Sequence, residues 1–497
     1  MQLQFSKSAI QCLGTALQDV RTAESTQELR LTDGMPDIGR VLTTWGQIQL
    51  RSKEWQGSSV MITGGVMTWT LYAPEDGTEP RSVEAWLPFQ MRWELPESNR
   101  EGTLFVQPLV RFADSRSLSS RKMMIRAGVS VQIQGLYPME QEISAAGELP
   151  EDVQVLTNTY PLRLPVESGE KTFLMDEELM LPESGTGAEK LLGIMVTPDI
   201  SEKKVLTNRI VFKGMLNVHL AYRDADGKVH SRNLPMAFSQ LTELDRNYSA
   251  DAQTDIRMAV TSLEADLDQG KLRLKCGLTA QYLVDDRHLL ELVQDAYSPI
   301  RQVKVDSCEV KLPVILEDRT EFMTAEQTVA GQHGQSVDMV FLPEFPRVHQ
   351  LEGSVEMEFP GMFQGLVYDE NNALQGISSR WEGKLSLNAH ENSRIQAAMT
   401  GGDVQPMTSA DGMILSAPLS VGMRTVADQE ISMVNALELG ELQEPDPTRP
   451  SLILRNAGGE SLWELAKSSG STVAAISAAN GLSGEPMAEQ MLLIPVV

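Results

Sequence analysis

The 497-residue chain has little cysteine, few aromatics and a deficit of positive charge. Its three cysteines, Cys12, Cys276 and Cys308, are far apart and odd in number. They offer no disulfide framework and no Cys-x-x-Cys metal pair, which points to a reducing compartment. With 42 Lys and Arg against 68 Asp and Glu, the formal net charge is -26. The longest basic clusters are pairs such as Arg121-Lys122 and Lys203-Lys204. Neither a phosphate-reading face nor docking on anionic lipid is expected from such a surface. No apolar run reaches the 18 residues of a spanning helix. The opening "MQLQFSKSAIQCLGTALQDV" lacks a basic stretch followed by an apolar one, so no secretory leader is expected.

Motifs for catalysis are also missing. The six histidines (His219, His230, His288, His333, His349 and His390) show no His-Glu-x-x-His or His/Cys ligand spacing. There is no Gly-x-Ser-x-Gly elbow and no phosphate-binding glycine loop. Carboxylate pairs such as Glu177-Glu178 and Asp285-Asp286 are what any acidic chain carries, and nothing singles out an acid and a base among them. The expectation is a protein without metal, cofactor or enzymatic activity.

What is present is a domain-sized repetition. "PDIGRVL" at Pro36, "PDISEKKVL" at Pro198 and "FPRVHQLEG" at Phe345 each lead into a glycine-rich strand ending in tyrosine. These strands are "GGVMTWTLYAPEDG" from Gly64, "GMLNVHLAYRDADG" from Gly214 and "GMFQGLVYDENNA" from Gly361. They recur about every 150 residues, with Tyr72, Tyr222 and Tyr368 placed before an Asp-Gly or Asn-Asn turn. Alternation puts Leu216, Val218 and Leu220 on a core face, and Asn217 and His219 towards solvent. Asp226-Gly227 supplies a hairpin turn. Only "AIQCLGTALQDV", with Ile10, Leu13 and Leu17 at helical spacing, favours a helix over a strand. The fold class expected is mainly β: three tandem antiparallel β-sandwich or barrel-like repeats of seven to nine strands, then a small βααβ unit. The divisions are 1–140, 141–298, 299–440 (the most degenerate repeat), a Pro-rich linker at 441–450 with Pro445, Pro447 and Pro450, and 451–497.

The last segment is the most explicit. Ser461 and Glu464 form a capping box, and Leu462, Leu465 and Ala466 share a helical face. Gly470 stops that helix. Ser471 or Thr472 starts a second, with Val473, Ile476 and Ala479 inward, and Asn480-Gly481 closes it before "MLLIPV" returns as a strand.

At these residues the segment resembles a LysM domain. The family's G-D-[ST]-L-W-x-[IL]-A runs from Gly459 to Ala466, with Glu460 in place of Asp. Thr472-Val473, Ile476, Asn480 and Leu482 follow its second motif, and the closing L-x-I-P spans Leu492 to Pro495. The tyrosine often found in the family's first strand is missing. The resemblance implies a shallow groove for N-acetylglucosamine-containing glycans or for a partner. Its walls would be Gly459, Glu460, Ser461 and Leu462 on one side, and Asn480, Gly481, Leu482 and Ser483 on the other. The whole chain resembles SipL-type spore-coat morphogenetic proteins, which implies a non-enzymatic scaffold in the mother-cell cytoplasm, recruited to the forespore surface. Its partners would be the spore-coat morphogenetic ATPase or other envelope proteins, with peptidoglycan a further candidate, no nucleic acid and no membrane insertion. The alternative is a peptidoglycan- or chitin-type glycan-binding protein of the cell wall or of a phage tail.

Overall fold

The computed structural model describes residues 2–96, 101–145, 149–181, 187–351, 353–388, 390, 392–443 and 449–496. Over these residues the chain is mainly β, in antiparallel sheets with only two short helices. None of the sheets closes on itself among the described residues, so a barrel does not form. No helix among them is long and apolar enough to cross a membrane.

Three successive stretches, 6–145, 154–297 and 301–442, share one pairing order. In each, a long opening strand (Ser6–Arg30, Gln154–Met180, Arg301–Ala330) pairs with a long closing strand (Lys122–Ala145, Lys271–Tyr297, Gly412–Leu442). The strand before the closing one (Thr103–Ser119, Gln253–Asp268, and Ser393–Gly401 with Gln405–Ser409) adds to its other edge. Between them lies a meander centred on Ser59–Pro74, Arg209–Asp224 or Ser354–Tyr368. In the third meander the first strand is split into Gln335–Pro343 and Arg347–Leu351. Among the described residues this makes six strands in each of the first two stretches, fewer than the seven to nine expected, and eight in the third, where two positions are split. The opening and closing strands are 24 to 31 residues long, so one element takes the place of two. Residue 140 lies inside Lys122–Ala145 and residue 440 inside Gly412–Leu442, which moves those divisions a few residues on.

A straight strand of 30 residues would reach ~100 Å. A bulge interrupts each opening strand instead, leaving Ala16, Val166 and Leu316 unpaired in the ladder, at intervals of 150 residues. A bulge bends a strand and reverses which parity faces inward. This explains the segment expected to start as a helix, which is part of Ser6–Arg30. Ile10 and Cys12 face one cluster, Leu13 faces another, and Leu17 packs elsewhere beyond the bulge. Spacings of three and four residues arise from two faces and a register shift, not from a helical turn.

The meander turns show a similar slip. Gly77, Gly227 and Asn372 all take positive φ, at 72°, 81° and 59°. Counting back five residues reaches buried Tyr72 and Tyr222, but Val367, not Tyr368, in the third. One residue is half a strand period, so Tyr368 leaves the core position, and its hydroxyl accepts a hydrogen bond from the Val229 N–H of the second stretch (3.3 Å).

The three stretches are fused rather than strung in line. One apolar cluster joins Ile10, Leu164, Leu292, Val310 and Met433, taken from the opening and closing strands of all three. A larger one joins Trp45 and Leu71 of the first to Val218 and Leu220 of the second and to Leu366 of the third. Buried glutamines cross the same boundaries. The Val196 N–H donates to Gln47 Oε1 (2.6 Å), Gln364 donates to the Thr44 carbonyl (2.6 Å), and Gln281 both donates to and accepts from the Val106 backbone (2.8 and 2.9 Å). Leu216, Val218 and Leu220 are core, as alternation requires. His219 on the other face is not turned to solvent: the third stretch covers it, with Asp338 2.7 Å away.

Candidate functional site

The C-terminal segment builds a two-stranded sheet, Leu452–Asn456 against Met491–Pro495, with helices α1 (Leu462–Ser469) and α2 (Val473–Asn480) between them. The local capping signals are used. Ser461 caps α1 with the reciprocal Glu464 bond, Thr472 caps α2, and Gly470 and Gly481 take left-handed φ of 63° and 62° at the helix ends. The two hydrogen bonds from Ser461 to Glu464 hold that carboxyl below its ordinary range. Leu462, Leu465, Ala466 and Ile476 are core. Ala479 is exposed; the inward stripe of this two-turn helix runs Val473, Ile476, Asn480. Of the linker prolines, Pro445 and Pro447 lie outside the described residues, and Pro450 is exposed.

The structure places the two candidate loops side by side. Gly459 has φ of 84°, which only glycine adopts readily. Glu460 is held by Arg455 through both carboxylate oxygens (2.8 Å each). The Leu462 N–H, at the start of α1, donates to Glu485 Oε2 (2.7 Å), so a side chain two residues beyond the second loop closes onto the first. Asn480 is spent on the fold. Its amide donates to the Ile476 and Leu493 carbonyls (2.8 and 2.6 Å), and its oxygen accepts from the Leu493 N–H (2.8 Å). Leu482 packs on the tail core while Gly481 and Ser483 are exposed. The loop faces therefore present Gly459, Ser461, Gly481 and Ser483 beside three carboxylates, Glu460, Glu464 and Glu485.

Sequence reading missed what the tail rests on. Tyr297, the last residue of Lys271–Tyr297, enters the tail core, and its hydroxyl donates to the Ser471 carbonyl (3.0 Å). Its ring meets Trp463 edge to face, with centroids 4.8 Å apart. The Trp463 indole N–H donates to Asp295 (2.8 Å), which also pairs with Lys467 (2.6 Å). Asp295 follows a register shift in its strand, which sets its direction. In "ELVQDAYSPI" nothing marks Asp295 and Tyr297 as an anchor. The outer face of α1 is thus committed to the body, and the core aromatic comes from there too.

The opposite face stays open. Leu454 and Leu493 are direct cross-strand partners, 63% and 40% exposed, and Leu452 and Met491 on the same face are exposed too. Among the described residues no group of three or more His, Cys, Asp or Glu is placed to hold a metal. No protein-family model, no curated protein and no solved structure matches this chain.

Proposed function

We propose that the chain is a non-enzymatic scaffold of spore-envelope assembly. In this reading three tandem β-sandwich repeats form a body, and a C-terminal LysM domain docks on the coat-base ATPase, on peptidoglycan, or on both. The protein works in the mother-cell cytoplasm and is recruited to the forespore surface.

The observation that carries the reading is the exposed leucine and methionine face of the tail sheet beside acidic loops. Apolar side chains clustered on a rigid surface suit a protein partner. The loops suit glycan less well, since Asn480 is used internally and Glu485 spans them. Anchoring the tail on the body through Tyr297 and Asp295 fixes its orientation. A body of several units with one oriented docking module is the geometry of a tether, where several weak contacts add through effective concentration.

Pull-down of the purified chain with the coat-base ATPase and, separately, with purified peptidoglycan tests this. Capture of the ATPase, lost in a Leu454→Glu, Leu493→Glu double variant, supports the scaffold. Capture by peptidoglycan alone moves the assignment to a wall-glycan binder. A fluorescent fusion should form a shell around the forespore; uniform signal throughout sporulation refutes the assignment.

A further inference from the structure

Away from the tail, a cleft of about 520 Å³ opens where the three stretches meet. The second stretch contributes Lys203, Asp255 and Arg257, the third Asp318, Arg319 and Arg424, and the first Gln107. Four cations line it against three carboxylates, the third being Asp199. Cations are thus concentrated in its lining, although the chain as a whole carries a net charge of -26.

Two of the carboxylates are already engaged by the wall. Asp318 receives Arg424 Nε at 2.7 Å and Arg163 at 2.6 Å, while Asp255 lies 3.3 Å from Arg257 and 3.5 Å from Lys203. Arg424 also reaches buried Asp285 at 3.2 Å. Some capacity is left over. The buried Arg424 Nη1 and the buried Gln107 Oε1 have no hydrogen-bond partner among the described residues. Arg319 is only loosely held, 3.6 Å from Glu317 and 3.8 Å from Glu321. A buried polar atom without a partner is costly, and one donor and one acceptor are left over among the residues that line the cleft, which suits a ligand carrying both complements.

We propose that this cleft binds a small anionic molecule bearing an acid group and a hydrogen-bond donor, such as an acidic or phosphorylated sugar. The acid group faces Arg424 and Arg319, and the donor faces Gln107. The volume is within the range of small-molecule sites. Because the walls come from all three stretches, occupancy also ties them together.

Calorimetric titration of the full chain with glucuronate, with glucose 6-phosphate and with neutral glucose tests the proposal and tells carboxylate from phosphate. Saturable binding of either anion, but not of glucose, is expected. Gln107→Leu and Arg319→Ala should each weaken it about tenfold or more, whereas Lys304→Ala, on a distant exposed side chain, should leave it unchanged. A thermal melt on each variant separates lost binding from lost folding. A crystal structure of the wild-type chain soaked with the tighter anion gives a readout independent of the variants. Equal binding of glucose, no saturation by any probe, binding of an acidic peptide alone, or only water on Arg424 Nη1 and Gln107 Oε1 in the soaked crystal overturns it.

Discussion

Asp295 accepts a 2.8 Å hydrogen bond from the Trp463 indole, 168 positions away, and pairs with Lys467 at 2.6 Å. One carboxylate at the end of a body strand thereby aims the whole C-terminal unit. Replacing it, Asp295→Ala, should weaken docking by about 1.5–3 kcal/mol, the range for hydrogen bonds to a charged group. Hydrogen exchange would show faster exchange in α1 and α2 with the body unchanged; unchanged protection in the tail would mean that Tyr297 alone holds it.

The same contact is sensitive to acid. Burial pushes the Asp295 carboxyl up, but the bonds from Lys467 and Trp463 outweigh it and hold the group below its ordinary value. A depressed folded-state pKa contributes stability above the unfolded value of about 3.9, lost as pH falls through the folded value. Tail protection should therefore decline below about pH 4 in the wild type and show a smaller decline in Asp295→Asn.

His219 behaves in the opposite sense. Burial favours its neutral form, yet Asp338, with help from Asn233 and Asp403, raises its pKa above the ordinary value. Asp338 also accepts from the Trp45 indole at 2.8 Å, so the pair sits where all three stretches touch. Its contribution is complete below the unfolded value of about 6.5 and is lost as pH rises through the folded value. Melting temperature should fall over that window in the wild type, and His219→Gln should lower it at pH 6 and flatten the dependence. A parallel pH profile in the variant would refute the assignment.

Gln281, fully buried, satisfies both backbone groups of Val106 and accepts from Lys53 at 2.8 Å. Gln281→Leu leaves those groups without partners, at about 1–3 kcal/mol each. Since the apolar clusters run through all three stretches, calorimetry should show the body melting in one transition at a lower temperature. Separate transitions for the three stretches would show that they fold independently.

Asn480→Ala should destabilise the tail by about 1–3 kcal/mol per backbone group left without a partner, because the Leu493 N–H and carbonyl both lose one. Asn480→Asp should restore only the acceptor half. If neither change moves the tail's unfolding while partner binding falls, Asn480 belongs to a binding surface instead.

Local chemistry was legible in the residues wherever it was short in range. The capping box at Ser461, the left-handed glycines at Gly470 and Gly481, the turn at Gly227 and the buried set Leu216, Val218 and Leu220 depend on neighbours within a few positions. The reading failed where one residue changes parity. The bulge at Ala16 made a strand look helical, and the offset at Tyr368 made a bridging residue look like a repeat of Tyr72. A period-two pattern carries no warning of such a slip, because the bulged residue is as ordinary as its neighbours.

The sequence by itself determined that the chain is β-rich, that its pattern returns every 150 residues or so, and that its end is a βααβ unit. Alternation, turns and caps are local properties. Only the tertiary structure decided that the three stretches share cores, that His219 faces Asp338 instead of water, and that Tyr297 and Asp295 carry the tail. Those outcomes depend on which surface meets which, and contacts between residues more than a hundred positions apart leave no period in the chain that makes them.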